Sequence, residues 1–135
     1  VTREWVNGET FLYLGGAYRL ALISHQDKPL KLKEGRFCLS RELIETGGTA
    51  AARAAFENFY SEKGQQRFAD RVAFFAPKVG VENPAIKVKD MGYRWASCGR
   101  SGTLNFHWKC MMAPPRIIDY ITVLSSPQSF RRFLE

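Results

Sequence analysis

The sequence predicts an α+β fold, and three observations carry that expectation. Apolar and aromatic residues alternate with polar ones through the first forty positions, and an alanine- and phenylalanine-rich stretch at helical spacing fills residues 48–79. Short alternating runs return after Pro84. Strands grouped before and after one long helix imply helix packed on sheet, not strands and helices in regular alternation.

The elements follow in order. Trp5 to Leu22 holds two apolar-aromatic runs split at Gly15-Gly16 and preceded by the turn signal Asn7-Gly8. Lys28 to Ser40 extends the pattern, with Leu30, Leu32, Phe37 and Leu39 around the turn Glu34-Gly35, so an antiparallel β-meander is expected. Phe56, Phe59, Tyr60, Phe68, Val72, Phe75 and Val79 recur at three- or four-residue steps and predict an amphipathic helix whose stripe is core. Gly64 lies inside it and leaves room for a kink or break there, because glycine costs about 1 kcal/mol relative to alanine in a helix. A second small antiparallel sheet is expected from Ile86 and Val88, from Tyr93 to Cys98, and from Thr103 to Trp108 across the turn Gly99 to Gly102. Pro114-Pro115 then opens a short helix with Ile117, Ile118, Tyr120 and Ile121 on its apolar side, and Ser125-Ser126-Pro127 ends it.

Composition narrows the class. The chain has 135 residues, 45% of them hydrophobic and 24% charged, which suits one core and excludes a disordered tail or a membrane span. Val1-Thr2-Arg3-Glu4-Trp5 lacks the apolar run of a secretory signal. Three cysteines leave one unpaired under any scheme, so a reducing, cytoplasmic setting with buried free thiols is expected. Cys98, His107 and Cys110 supply only three donors at wide spacing, short of a structural zinc set. Twenty Lys and Arg against 13 Asp and Glu give a net charge of +7, which favours acidic or phosphate-rich partners.

Particular segments carry a resemblance. Gly8-Glu9-Thr10-Phe11, Tyr13-Leu14-Gly15, Tyr18-Arg19-Leu20, Met91-Gly92-Tyr93-Arg94-Trp95-Ala96-Ser97-Cys98, Leu104-Asn105, Ala113-Pro114-Pro115 and Ile118-Asp119-Tyr120-Ile121 together resemble the YgjP-like metallopeptidase family, zinc hydrolases related to the SprT-type proteases. The resemblance covers residues 4–123 of a single domain spanning 1–135, with 124–135 divergent. It implies a zincin-like fold, in which the segment like Ile118 to Val123 runs into a helix bearing His-Glu-x-x-His. That motif puts two imidazoles one turn apart on zinc and adds a glutamate that takes a proton from the metal-bound water. In this chain Val123 is followed by Leu124, the only histidines are His25 and His107, and no His-Glu pair occurs. Ser125 to Phe130 resembles the family's later His-Ser-Pro-x-Phe-Trp stretch, with Ser125 near the place of the third ligand. The expectation is a metallopeptidase domain with a truncated active-site helix, no catalytic residue, no metal ligand and no cofactor, where the intact family holds zinc.

Two readings apply to the segment around Trp95. As tryptophan and cysteine, Trp95 and Cys98 belong in the core, with Arg94 and Ser97 satisfying backbone groups and Asn105 holding a strand end. The resemblance implies instead an edge strand that takes an extended substrate, with Arg94, Trp95, Ser97 and Asn105 as substrate-binding residues and Ala96 where the family usually has glycine. The partners expected are a peptide or protein substrate and no membrane. An alternative from another class is a basic module binding nucleic acid or an acidic protein, since Tyr93 and Trp95 flank Arg94. A helix stopped near Val123 leaves apolar surface that self-association, or fold-back of Phe130, Phe133 and Leu134, would cover.

Overall fold

The structure is a computed structural model that describes residues 3–79 and 84–125. The expected foldback residues Phe130, Phe133 and Leu134 lie outside the described residues. The chain forms two compact units, residues 1–59 and 60–135. Both combine helix with a small sheet, as the α+β expectation requires. No helix among the described residues is long and apolar enough to cross a membrane.

The first unit holds a four-stranded sheet of β1 (Thr10–Tyr13), β2 (Gly16–Ile23), β3 (Leu30–Lys33) and β4 (Arg36–Ser40), in the order β1-β2-β4-β3. Two hairpins are closed by two-residue turns, Leu14-Gly15 and Glu34-Gly35, in which both residues have positive φ. Such turns match the twist of the flanking strands. The sheet is not a simple meander, because β2 pairs with β4 in parallel. Burial explains the placement: Phe37, Cys38, Leu39 and Ser40 of β4 are all buried, whereas β3 carries Lys31 and Lys33 and suits an edge. Trp5, Phe11, Phe37 and Phe56 form the aromatic centre, with Phe11 stacked on Phe56 at 4.3 Å between centroids. Glu9 fixes the approach to β1, its carboxylate accepting from the Trp5 N–H at 2.7 Å.

The helix α1 (Arg41–Val79) starts at Ser40, whose buried hydroxyl accepts from the Leu43 N–H as an N-cap. The kink or break allowed at Gly64 is not there. The break is at Gly48, which has φ 64° and ψ −156°, a backbone shape that glycine alone adopts without strain. Gly64 serves close packing instead: a Cβ there meets Met111 Cγ and Val88 Cγ1 at 3.2 Å.

The second unit contains β5 (Ile86–Lys89), β6 (Ala96–Cys98) and β7 (Leu104–His107) in the order β5-β7-β6, then a 3-10 helix (Trp108–Met112) and α2 (Pro115–Ser125). Here too the sheet is mixed and not antiparallel throughout, since β5 runs parallel to β7. The reason repeats: β7 buries Leu104, Phe106 and His107 and takes the centre. Phe106 stacks on Phe68 of α1 at 3.9 Å and 5° between planes, both rings fully buried. Arg71 holds α2 to α1 through a two-pronged pair with Asp119 at 2.6 and 3.0 Å. The 3-10 helix replaces the end of the strand expected to reach Trp108.

Candidate functional site

Strand β6 is an edge of its sheet, and its register decides which backbone groups are open. The His107 N–H donates to the Trp95 carbonyl at 2.8 Å, and the Gly99 N–H donates to the Thr103 carbonyl at 2.8 Å. With Ala96 opposite Phe106, Ser97 opposite Asn105 and Cys98 opposite Leu104, the ladder consumes the main-chain groups of Ser97. Those of Ala96 and Cys98 therefore point away from β7. The opposite edge, β5, is guarded by exposed Lys87 and Lys89, and the Ile86 carbonyl accepts from the Gln65 side chain at 2.9 Å.

Beside the open edge lies α2, which has two apolar sides. Ile118, Thr122 and Val123 are buried, and Thr122 satisfies its hydroxyl by donating to the Ile118 carbonyl at 2.8 Å. Ile117 and Tyr120 face out instead, Tyr120 being 54% exposed. Together with Tyr93, Arg94, Trp95, Ala96, Ala113 and Ile121 they line an open groove of about 760 Å³. Its walls are mostly apolar and aromatic, the composition of binding clefts. A smaller recess of about 160 Å³ adjoins it through the shared residues Tyr93, Arg94 and Trp95, and adds Gly92, His107 and Lys109.

The segment from Asp90 to Arg94 that forms one wall is tied down. Asp90 accepts from the Gly92 N–H at 2.9 Å and meets His107 Nε2 at 3.3 Å. The Gly92 N–H, then the nearby His107 and Lys109, hold the Asp90 carboxyl below its ordinary value of 3.8.

The residues singled out from the sequence are placed as follows. Arg94 and Trp95 are exposed on the groove, Trp95 at 56%. Ser97 and Asn105 sit half-buried opposite each other, and the Asn105 amide donates to the Ser97 hydroxyl at 3.4 Å. Burial of Trp95 and Cys98 in the core is overturned: both are exposed, at and beside the edge strand β6, where among the described residues little packs over their side chains. The expectation of buried thiols holds for Cys38 and Cys110 and fails for exposed Cys98. Burial pushes the Cys110 thiol up to about 11, so it stays protonated and unreactive at neutral pH. Tyr93 was anticipated only for the alternative binding module, and Lys109 and the outer side of α2 were not anticipated as parts of a site. The signal available for α2 was its spacing, since Ile117, Tyr120 and Ile121 share one side at three- and four-residue steps while Ile118 and Thr122 share another.

A model of the YgjP-like metallopeptidase domain matches residues 1–123. The chain belongs to the YgjP-like metallopeptidase family. No curated protein and no solved structure gave a match. The family's zinc does not fit the residues described. His25 lies exposed in a turn of the first unit. Both ring nitrogens of His107 are engaged, Nε2 at Asp90 and Nδ1 accepting from the Lys109 N–H at 3.1 Å. Among the described residues no three of His, Cys, Asp and Glu gather to hold a metal ion.

Proposed function

We propose that this YgjP-like chain binds an extended peptide along β6 and, within these 135 residues, does so without zinc-dependent hydrolysis. The observation that carries the reading is the open edge: outward main-chain groups of Ala96 and Cys98 lie beside an apolar groove of the size a few side chains fill. An edge strand gives affinity through main-chain hydrogen bonds, and the pockets beside it choose side chains. Trp95, Ile117 and Tyr120 supply the apolar contact, and Arg94 lines the groove with them. Ser97 and Asn105 act indirectly, pairing β6 with β7 and so holding the edge in register.

Hydrolysis needs three zinc ligands and a base for the metal-bound water. The sequence lacks the motif that provides them, and His107 is committed elsewhere. After dialysis the purified protein is expected to hold well under one zinc per chain by elemental analysis, and to leave a fluorogenic peptide library uncut with or without added zinc. One tightly bound zinc per chain with metal-dependent cleavage overturns the non-hydrolytic half. Fluorescence anisotropy of labelled extended peptides tests the binding half, with saturable binding at micromolar protein expected.

A further inference from the structure

The net charge is unevenly placed. Residues 1–59 contain 8 Lys and Arg against 7 Asp and Glu, whereas residues 60–135 contain 12 against 6. The excess therefore belongs to the unit that carries the groove. Two of its cations, Arg94 and Lys109, line the recess next to the groove, and both are exposed. Among the described residues neither forms an ion pair. Asp90, the acid whose charge reaches this recess, is bonded by the Gly92 N–H and His107, and Lys109 acts on it from farther off.

We infer that the peptide taken by this site is acidic: a large apolar or aromatic side chain fills the groove, and an Asp or Glu one or two residues away enters the recess between Arg94 and Lys109. This rests on the peptide-binding reading and adds its specificity. The geometry favours it in three ways. The recess and the groove share Tyr93, Arg94 and Trp95, so one extended chain on β6 reaches both with side chains one or two positions apart. Its volume of about 160 Å³ suits one carboxylate side chain and not a nucleobase with its sugar. Guanidinium and ammonium donors that form no ion pair among the described residues, Asp90 acting on Lys109 from beyond ion-pair distance, are matched by an anion that accepts from both.

The test compares labelled nine-residue peptides that differ at one position. One has Leu-Trp at its centre with Asp two residues on, the second has Asn in place of that Asp, and the third has Lys. At about 50 mM salt the Asp peptide is expected to bind at least tenfold tighter than the Asn peptide, with the Lys peptide weakest. The preference is expected to shrink as salt rises, as screening of exposed charges requires. Arg94→Gln and Lys109→Gln, both at exposed positions, are expected to bring the Asp and Asn peptides within twofold of each other; Lys109→Gln, which touches the recess and not the groove, does so with the Asn peptide's own affinity unchanged, whereas Arg94→Gln weakens the Asn peptide as well. Equal binding of all three peptides overturns the acidic preference and leaves the peptide-binding reading standing. Absence of binding by every peptide overturns both. Tighter binding of a labelled oligothymidylate that displaces the Asp peptide also overturns it, and assigns the cations to nucleic acid.

Discussion

Phe106→Ala is expected to destabilise the second unit by about 3–5 kcal/mol, the range for removing a large buried aromatic ring. Phe106 lies on β7, the central strand, and stacks face to face with Phe68 of α1 at 3.9 Å, with neither ring exposed. Truncation opens a cavity between rigid elements and removes the ring contact, itself worth about 0.5–1.5 kcal/mol. Since whole domains are stable by only about 5–15 kcal/mol, the loss is a large part of the total. Urea unfolding followed by tryptophan emission checks this, because Trp108 stacks on Tyr60 at 5.7 Å in the same unit. A shift in stability under 1 kcal/mol would show that this pair is not the core of the unit.

Trp95→Ala is expected to separate binding from stability. The indole is more than half exposed and lines the groove, so its loss leaves little cavity in the free protein. In a complex it becomes a central aromatic contact, and such residues commonly contribute 2 kcal/mol or more. Peptide affinity is therefore expected to fall about thirtyfold or more, with the unfolding midpoint nearly unchanged. Phe106→Ala has the opposite signature, lost stability with the groove's own residues intact. A Trp95→Ala protein that binds peptide normally would move the site away from β6.

Much of the architecture was legible because its signals are local. Glu34-Gly35 announced a turn, alternation announced β3 and β4, and the phenylalanine spacing announced the long helix with Phe56, Phe68 and Phe75 buried. The parallel pairs β2–β4 and β5–β7 were not legible, since strands distant in sequence leave no turn between them to read. The choice of centre strand depends on total burial, which a meander reading does not weigh. The glycines show a similar limit: Gly48 and Gly64 look alike in sequence, yet one supplies a positive φ and the other lets two side chains approach. The 3-10 helix after His107 is too short for a period to appear. Residue preference placed Trp95 in the core, and topology placed it on an edge. The absence of His-Glu-x-x-His was plain from the sequence, whereas the commitment of His107 to Asp90 and Lys109 required coordinates.

The central claim is main-chain pairing on the open side of β6, and amide hydrogen exchange reads that pairing residue by residue. In the free protein the Ala96 and Cys98 amides are expected to exchange fast, while the Ser97 amide, bonded to β7, exchanges slowly. With saturating acidic peptide the Ala96 and Cys98 amides are expected to slow by tenfold or more, and Ser97 serves as the internal reference. Saturation with peptide that leaves Ala96 and Cys98 exchanging at their free rates would contradict the account.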